Sequence, residues 1–181
     1  MNKLFIKSGA QLTHREIEEI NKAKSREWQL SPMSKYQLPI SLYFLLKDEN
    51  SKILAQGQVI KIDPFSFAGE KFSILGIGGI IANVKGGGHG KKLMAGIIKY
   101  LAKNNKTGVG FCRNDVAGFY QKCGFDIIPG LQKGFVYLEN GKKTTNTTED
   151  NVFYFESEDR FIEKVLKEKD REIFLPRAPD W

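Results

Sequence analysis

Short runs of apolar side chains alternate with polar stretches along the chain and predict a series of strands. The first predicted strand covers residues 4–7, and a hairpin follows from residues 40–46 and 53–62. Residues 71–84 form the longest run, which predicts one long strand. Its glycines Gly76, Gly78 and Gly79 indicate a bulge or a close approach by another backbone or a ligand.

Other segments show the spacing of helices. Thr13 and Glu16 form a capping box that predicts a helix with Ile17, Ile20 and Trp28 on one face, and Ser31-Pro32 ends it. From Gly90 onward the apolar residues follow a helical period. They are Leu93, Met94, Ile97, Ile98 and Leu101.

The remaining predictions complete the order of elements. Asn114 is predicted to cap a helix that stops at Gly124, and residues 157–175 to form a C-terminal helix. Further strands are predicted at 109–112, 125–128, 135–138 and 152–155, and the polar segment 139–151 is predicted to be a mobile loop. The order predicts one mixed α/β domain over residues 1–181, built on one main sheet.

Composition narrows the class of protein. The net charge is +7, which favours an anionic ligand, with a phosphorylated cofactor and nucleic acid as the two candidates. The two cysteines lack metal-ligand spacing, so we expect no metal. There is no signal-peptide core, and the longest apolar run is too short to span a membrane. We therefore expect a soluble, cytoplasmic protein.

A glycine-rich loop lies between the long strand and the helix that begins near Gly90. Backbone N–H groups at a helix start bind phosphate, and glycines let the ligand approach the backbone. The Walker pattern fails, because Lys85 stands where it needs glycine and Lys92 where it needs Ser or Thr. The Rossmann pattern fails at Ile81. The segment Lys85-Gly86-Gly87-Gly88-His89-Gly90 instead fits an acetyl-CoA loop, Arg/Gln-x-x-Gly-x-Gly/Ala, with lysine first.

A second motif lies downstream. Residues 119–125, Phe-Tyr-Gln-Lys-Cys-Gly-Phe, match the pattern FYxKxGF. With these two motifs in this order, the sequence resembles the GNAT superfamily of acetyl-CoA-dependent N-acetyltransferases. The resemblance implies a GNAT-like acyl-CoA N-acyltransferase fold, with a mostly antiparallel central sheet, a splayed parallel strand pair and flanking helices.

The resemblance also implies roles for particular residues. Gly78, Gly79 and Ile80 would offer backbone groups to the pantetheine arm of acetyl-CoA. Asn114 would help fix the pantetheine or its thiol end, and Tyr120 would protonate the departing thiolate. The pyrophosphate would be held by main-chain N–H groups of Lys85, Gly86, Gly87, Gly88, His89 and Gly90. Lys85 supplies charge without the bidentate fork of the common arginine.

The general base is left open by the sequence. Asp63, Glu70, the C-terminal carboxylate and a water chain are the candidates, because no carboxylate lies on the strand just before the glycine loop. His89 is expected to face solvent or a phosphate. Cys112 and Cys123 are expected to be core residues.

The acceptor is also open. The resemblance implies a small-molecule amine or a peptide N-terminus. Residues 111–115, the strand at 152–155 and the terminal Asp180-Trp181 are similar to the aminoglycoside 2′-N-acetyltransferase branch. Many members of the superfamily dimerise, so a homodimer stays open. The alternatives are an acyl-CoA-binding sensor without turnover and a basic nucleic-acid-binding module, the latter disfavoured because the aromatic residues occupy strand-core positions.

Overall fold

The structure is a computed structural model that describes residues 2–28, 40–146 and 148–179. The predicted end of the first helix at Ser31-Pro32 lies outside these residues. Along the chain the elements are β1 (Lys3–Ser8), α1 (His14–Trp28), β2 (Ser41–Lys47), β3 (Ile53–Lys61), β4 (Phe65–Phe67), β5 (Glu70–Phe72), β6 (Leu75–Ala82), α2 (His89–Lys103), β7 (Gly108–Cys112), α3 (Asn114–Lys122), β8 (Asp126–Pro129), β9 (Phe135–Glu139), β10 (Lys142–Thr145), β11 (Asn151–Phe155), α4 (Phe161–Lys167) and β12 (Ile173–Phe174).

The chain divides into two compact units, and β6 and α2 each contribute residues to both. The first unit contains residues 1–60 and 78–97, and the second contains residues 61–77 and 98–181. The prediction of a single domain stays a prediction.

The first unit is a sheet with a helix on each face. Its strand order is β1-β2-β3-β6, with β1, β2 and β3 antiparallel. Successive side chains of a strand point to opposite faces. On one face α1 packs Ile20 against Tyr43 and Leu45. On the other face Gly57 lies so close to α2 that a Cβ there would be 3.3 Å from Leu93.

The second unit continues with strands in the order β6-β7-β11-β8. The start of β6 runs parallel to β7 through the pairs Leu75↔Gly108 and Gly76↔Val109, whereas β11 is antiparallel to both β7 and β8. A small sheet of β10-β9-β12 and the β4-β5 hairpin belong to the same unit. The core here is aromatic, because the buried ring of Phe161 lies 5.1–6.4 Å from its neighbours. Those neighbours are Phe65, Phe67, Phe72 and Phe135.

The mixed sheet with a parallel strand pair confirms the predicted fold class. The prediction of one strand over residues 71–84 was wrong, because β5 and β6 are separate strands. The turn residues Ala68 (φ 48°) and Gly69 (φ 82°) fold β4 onto β5 as a hairpin. The polar segment 139–151 contains β10 and the end of β9, and its mobility stays a prediction.

The predicted C-terminal helix over residues 157–175 was also wrong. Only α4 is helical, and residues Ile173–Phe174 form β12, which pairs parallel with β9. Arg160 adopts φ 49° just before α4, so no continuous helix can run through it. Ile173 and Leu175 are fully or almost fully buried, and burial in the aromatic core favours the strand over a longer helix.

Candidate functional site

The glycine loop follows β6, and the backbone at the end of this strand is fixed by hydrogen bonds. The backbone N–H groups of Asn83 and Val84 donate to the carbonyl of Leu54 at 2.9 and 3.2 Å, and Asn83 Nδ2 donates to the carbonyl of Ile53 at 3.0 Å. After this clamp, Lys85, Gly86, Gly87 and Gly88 are all exposed. The strand therefore presents an accessible loop from a fixed base.

Two glycines of the loop are required by its backbone rather than by packing. Gly86 has φ 82° and Gly88 has φ 66°, and a Cβ at either position would meet nothing within 4 Å. L-residues with side chains rarely adopt these angles. The loop thus combines a conformation that favours glycine with open space in front of the backbone.

Helix α2 begins directly after the loop. Its first turn is closed by the Lys92 N–H, which donates to the Gly88 carbonyl at 3.1 Å. The N–H groups of the first turn have no acceptor within the helix, and the helix dipole adds positive potential at this end. The first unit therefore contains an exposed glycine loop that leads into a helix N-terminus, and its binding of phosphate stays a prediction.

His89 shapes the same loop. Its half-buried ring folds over Gly87, where an added Cβ would lie 2.4 Å from Nε2, and its Nδ1 lies 3.5 Å from Asn2 Nδ2. A side chain at position 87 would displace this ring. His89 therefore belongs to the structure of the loop, and its contact with a phosphate stays a proposal.

The charges around the loop are mostly uncommitted. Lys91 and Lys92 are exposed at the start of α2. Lys85 Nζ lies 3.6 Å from Glu27 Oε1, and the Lys85 side chain is 74% exposed. Surface ion pairs at this distance contribute little, so Lys85 can exchange Glu27 for an anionic ligand.

Strand β6 carries the residues expected to bind the pantetheine arm. Gly78 is buried, whereas Gly79 and Ile80 are half-buried. Gly79 has φ 62°, which interrupts the regular strand. Gln58 packs beside Gly79, because its Cγ would lie 3.4 Å from a Cβ at this position, which is an ordinary van der Waals contact.

The second unit places Asn114 and Tyr120 on α3. The N-cap of α3 is Arg113, so the prediction that Asn114 caps this helix was wrong. Asp150, which lies just before β11, supplies the cap instead, because its Oδ2 accepts the Asn114 N–H at 2.9 Å. The side-chain Oδ1 of Asn114 accepts from Asn151 Nδ2 at 2.9 Å. A role of Asn114 in holding a cofactor stays a proposal.

Tyr120 is held by its ring. It stacks on Phe153 with the centroids 3.8 Å apart and an interplanar angle of 11°, and it meets Phe125 edge-on at 6.4 Å. Burial, together with the nearby Cys112 and Cys123, raises the pKa of the Tyr120 hydroxyl well above its ordinary value of 10. The hydroxyl makes no hydrogen bond within the described ranges. The ring of Tyr120 is therefore fixed and its hydroxyl is protonated at neutral pH, and its role as a proton donor stays a proposal.

The candidate bases differ in their surroundings. Glu70 Oε1 accepts from Lys164 Nζ at 2.7 Å, which commits this carboxylate to an ion pair. Asp63 is exposed. The C-terminal carboxylate and the tail Asp180-Trp181 lie outside the described residues, and the aminoglycoside branch stays a prediction.

Cys112 is poorly suited to act as a nucleophile. Cys112 is buried on β7, and burial followed by the carboxylates of Glu149, Asp150 and Asp115 raises its pKa to about 11. A thiol with that pKa is almost entirely protonated at neutral pH. The expectation that Cys112 is a core residue agrees with this.

A cluster missed at the sequence level lies in the first unit. Lys24 of α1 and Gln56 and Gln58 of β3 line one small cavity with Gly79, and all three side chains are buried. The sequence analysis placed the two glutamines in a predicted strand and Lys24 in a predicted helix, and it assigned none of them a role. The burial of the glutamines could have been inferred from β3, because side chains two residues apart in a strand point to the same face, and Gln56 and Gln58 share the face that α1 covers.

Two further features of the described residues concern membranes and metals. No helix within the described residues is long and apolar enough to cross a membrane. Among the same residues, no three His, Cys, Asp or Glu side chains are grouped as metal ligands.

Comparison with known proteins identifies the fold. Neither a protein-family model nor a curated protein sequence matches the chain. Among solved structures, a GNAT family N-acetyltransferase (YhbS) from Escherichia coli in complex with CoA matches with a TM-score of 0.61 and 11% identity, covering 98% of this chain and 89% of that one. An acyl-CoA N-acyltransferase from Pseudomonas aeruginosa matches with a TM-score of 0.58 and 16% identity, covering 85% and 99%.

A third match agrees with these two. An N-acetyltransferase from Staphylococcus aureus Mu50 matches with a TM-score of 0.53 and 17% identity, covering 85% of this chain and 95% of that one. These identities are low, so the matches bear on the fold alone. The chain has the fold of the GNAT acyl-CoA N-acyltransferases.

Proposed function

We propose that the protein is an acetyl-CoA-dependent N-acetyltransferase that moves the acetyl group to a primary amine. The observation that carries the proposal is the loop of Gly86 and Gly88, whose positive φ angles and open surroundings lead directly into the start of α2. A helix start with free N–H groups suits a pyrophosphate. A structural neighbour crystallised with CoA supports this reading.

The proposed cofactor site uses two segments of the first unit. The pyrophosphate binds to the N–H groups of the loop and of the first turn of α2, and Lys85 adds charge. The segment of Gly78, Gly79 and Ile80 binds the pantetheine arm, since Gly79 with φ 62° breaks the regular strand. A backbone N–H near Ile80 would stabilise the oxyanion of the tetrahedral intermediate.

In this mechanism the amine attacks the thioester directly. An alkylammonium with a pKa of about 10 must lose a proton before it can attack. When the C–S bond breaks, the sulfur leaves with the electron pair, and Tyr120 donates a proton to the thiolate. The raised pKa keeps the Tyr120 hydroxyl protonated in the resting protein, and it also makes this hydroxyl a weaker acid than an ordinary phenol.

The experiment is a panel of primary amines assayed by release of free CoA thiol, with wild type compared with Tyr120→Phe. Removing the donor is expected to lower kcat about 100-fold. The fold should not change, because the ring still stacks on Phe153. Tyr154→Phe is the matched control, since burial also raises the pKa of this half-buried tyrosine on β11. Equal kcat for Tyr120→Phe and wild type would remove Tyr120 from the mechanism.

A second candidate function is an acyl-CoA-binding sensor without turnover. One observation favours it: Glu70, a candidate base, is committed to an ion pair with Lys164. The same assay separates the two functions. Binding of acetyl-CoA without thiol release, for any amine in the panel, would support the sensor.

A further inference from the structure

One small cavity of the first unit, called here the Lys24 cavity, has a polar lining. It lies between α1 and β3, beside Gly79 of β6. Lys24 of α1 is 8% exposed, and Gln56 and Gln58 of β3 are each 2% exposed. The lining is completed by Ile20, Tyr43 and Gly57. Polar side chains this deeply buried normally have hydrogen-bond partners, so the partners of these three determine what the cavity can hold.

The two glutamines each contribute a buried acceptor. Gln56 Nε2 donates to the Ile20 carbonyl at 3.3 Å, and Gln56 Oε1 accepts no hydrogen bond from the part of the chain that the structure describes. Gln58 Oε1 accepts none from it either. The two side chains share a face of β3, because they are two residues apart. Buried carbonyl oxygens without a donor destabilise a fold, so this pair favours a small ligand that brings two donors.

Lys24 contributes a donor to the same cavity. Its Nζ has neither a hydrogen bond nor an ion pair among residues 2–28, 40–146 and 148–179. Burial lowers the pKa of this side chain. In its charged form and in its neutral form alike, the Lys24 amino group carries N–H donors. A ligand that satisfies the whole cavity must therefore donate two hydrogen bonds and accept at least one.

We propose that the Lys24 cavity binds one ordered water molecule. The two O–H groups of the water donate to Gln56 Oε1 and Gln58 Oε1, and the water oxygen accepts from Lys24 Nζ. Buried waters in proteins typically make about three hydrogen bonds to polar groups that otherwise lack partners, and these three side chains supply that number. The site uses neither a cofactor nor an acceptor, so it does not depend on the proposed function.

Size and charge exclude other ligands. The volume of the cavity is about 10 Å³, close to the minimum that holds one water molecule, so an organic ligand does not fit. Hard metal cations take about six or more oxygen ligands, whereas this lining contains no carboxylate. An anion would be repelled by the two carbonyl oxygens. Water is uncharged and has both the donors and the lone pairs that the lining requires.

The water links two elements of the first unit. Lys24 lies on α1 and both glutamines lie on β3, so its hydrogen bonds join the helix to the strand. Gln58 also packs beside Gly79, whose φ of 62° interrupts β6. The bound water therefore holds Gln58 in place next to the interruption in β6.

The first test is a high-resolution crystal structure of the wild-type protein. It should show one isolated density peak within about 2.5–3.2 Å of Gln56 Oε1, Gln58 Oε1 and Lys24 Nζ. Two results would overturn the proposal: the lack of such a peak, or a Lys24 Nζ that donates directly to one of the glutamines.

The second test counts long-lived internal waters in solution by magnetic relaxation dispersion of ¹⁷O in water. Gln58→Met replaces the amide by an apolar group of similar length, so the dispersion should fall by the contribution of one water. Lys22→Met is the matched control, because Lys22 is exposed on α1 and should leave the dispersion unchanged. Equal dispersions in Gln58→Met and the wild type would contradict the proposed site.

The third test asks whether Lys24 and Gln58 share the water. In urea unfolding, the effects of Lys24→Met and Gln58→Met on the unfolding equilibrium constant should combine non-additively, by at least about threefold in the double variant. Lys22→Met combined with Gln58→Met should be additive within about twofold. Additivity in both double variants would show that Lys24 and Gln58 act independently, and the shared water would be wrong.

Discussion

At the scale of single residues, Glu16 of α1 has the most heavily engaged carboxylate described. Its Oε1 accepts from Lys47 Nζ at 2.6 Å and from Lys7 Nζ at 2.7 Å, and its Oε2 accepts from the Thr13 N–H at 2.7 Å. Burial opposes ionisation of Glu16, but the three hydrogen bonds outweigh it and lower its pKa from 4.5 to about 2. Glu16 thus ties α1 to β1 and β2.

This environment predicts a specific sensitivity to acid. Because the folded-state pKa lies below the unfolded value, the stabilisation is complete above the unfolded pKa of 4.5 and is lost as the pH falls towards about 2. Glu16→Gln should lower the free energy of unfolding at pH 7 by about 2 kcal/mol, less than the full shift implies because solvent screens Lys7. Urea unfolding at several pH values measures this.

The control is Glu18→Gln, because Glu18 is exposed and pairs with His14 at 3.1 Å on the helix surface. It should unfold like the wild type throughout. If Glu16→Gln keeps the wild-type fall in stability between pH 5 and pH 2 (about the interval of the two pKa values), the acid sensitivity arises elsewhere.

At the scale of elements, the glycine loop before α2 has positive φ angles that favour glycine, and open space in front of its backbone leaves it accessible to a ligand. Gly88→Ala should weaken acetyl-CoA binding and lower stability by about 1 kcal/mol, because φ 66° disfavours a Cβ. Gly141→Ala is the matched control: Gly141 has φ 75° and also meets nothing within 4 Å, but it lies in the turn before β10.

Both variants should lose similar stability in thermal unfolding, and Gly88→Ala alone should lose acetyl-CoA affinity in titration calorimetry. Equal affinities in the two variants would show that the conformation of the loop at Gly88 does not matter for binding.

The sequence predicted elements well where local chemistry and burial agreed. The Thr13–Glu16 capping box forms as predicted, with Glu16 N donating to Thr13 Oγ1 at 3.2 Å. The helical spacing after the glycines gave α2, which begins at His89, one residue earlier than expected. The sequence analysis missed the turn at Ala68-Gly69, because an alanine at φ 48° is not a recognisable turn residue. It also missed the strand at Ile173, because the burial of Ile173 against phenylalanines that are distant in sequence overrides the helical pattern.

In the candidate site, too, one part was predictable from the sequence and another part was not. The glycine loop was predictable, because its conformation requires glycine and is local. The cluster of Lys24, Gln56 and Gln58 was not predictable, because the burial of these side chains depends on α1 packing over β3, which is far away in the sequence. Likewise, Asp150 caps α3 from 36 residues away, so Asn114 gave a misleading signal.

At the scale of the whole molecule, the net charge of +7 favours an anionic ligand, and the salt dependence of binding distinguishes acetyl-CoA from nucleic acid. An acetyl-CoA site with a few nearby lysines should lose about fivefold in affinity between ~0.05 M and ~0.5 M salt. A nucleic-acid-binding module would show a much steeper salt dependence with random RNA. Tight RNA binding that salt abolishes, without acetyl-CoA binding, would favour the nucleic-acid alternative.

The most direct test of the central claim is titration calorimetry of the wild-type protein with acetyl-CoA and, separately, with CoA. We predict one-to-one binding of both in the micromolar range, with loss of binding in a variant carrying a bulky residue at Gly88. Absence of binding to either ligand would contradict the proposed acetyltransferase function.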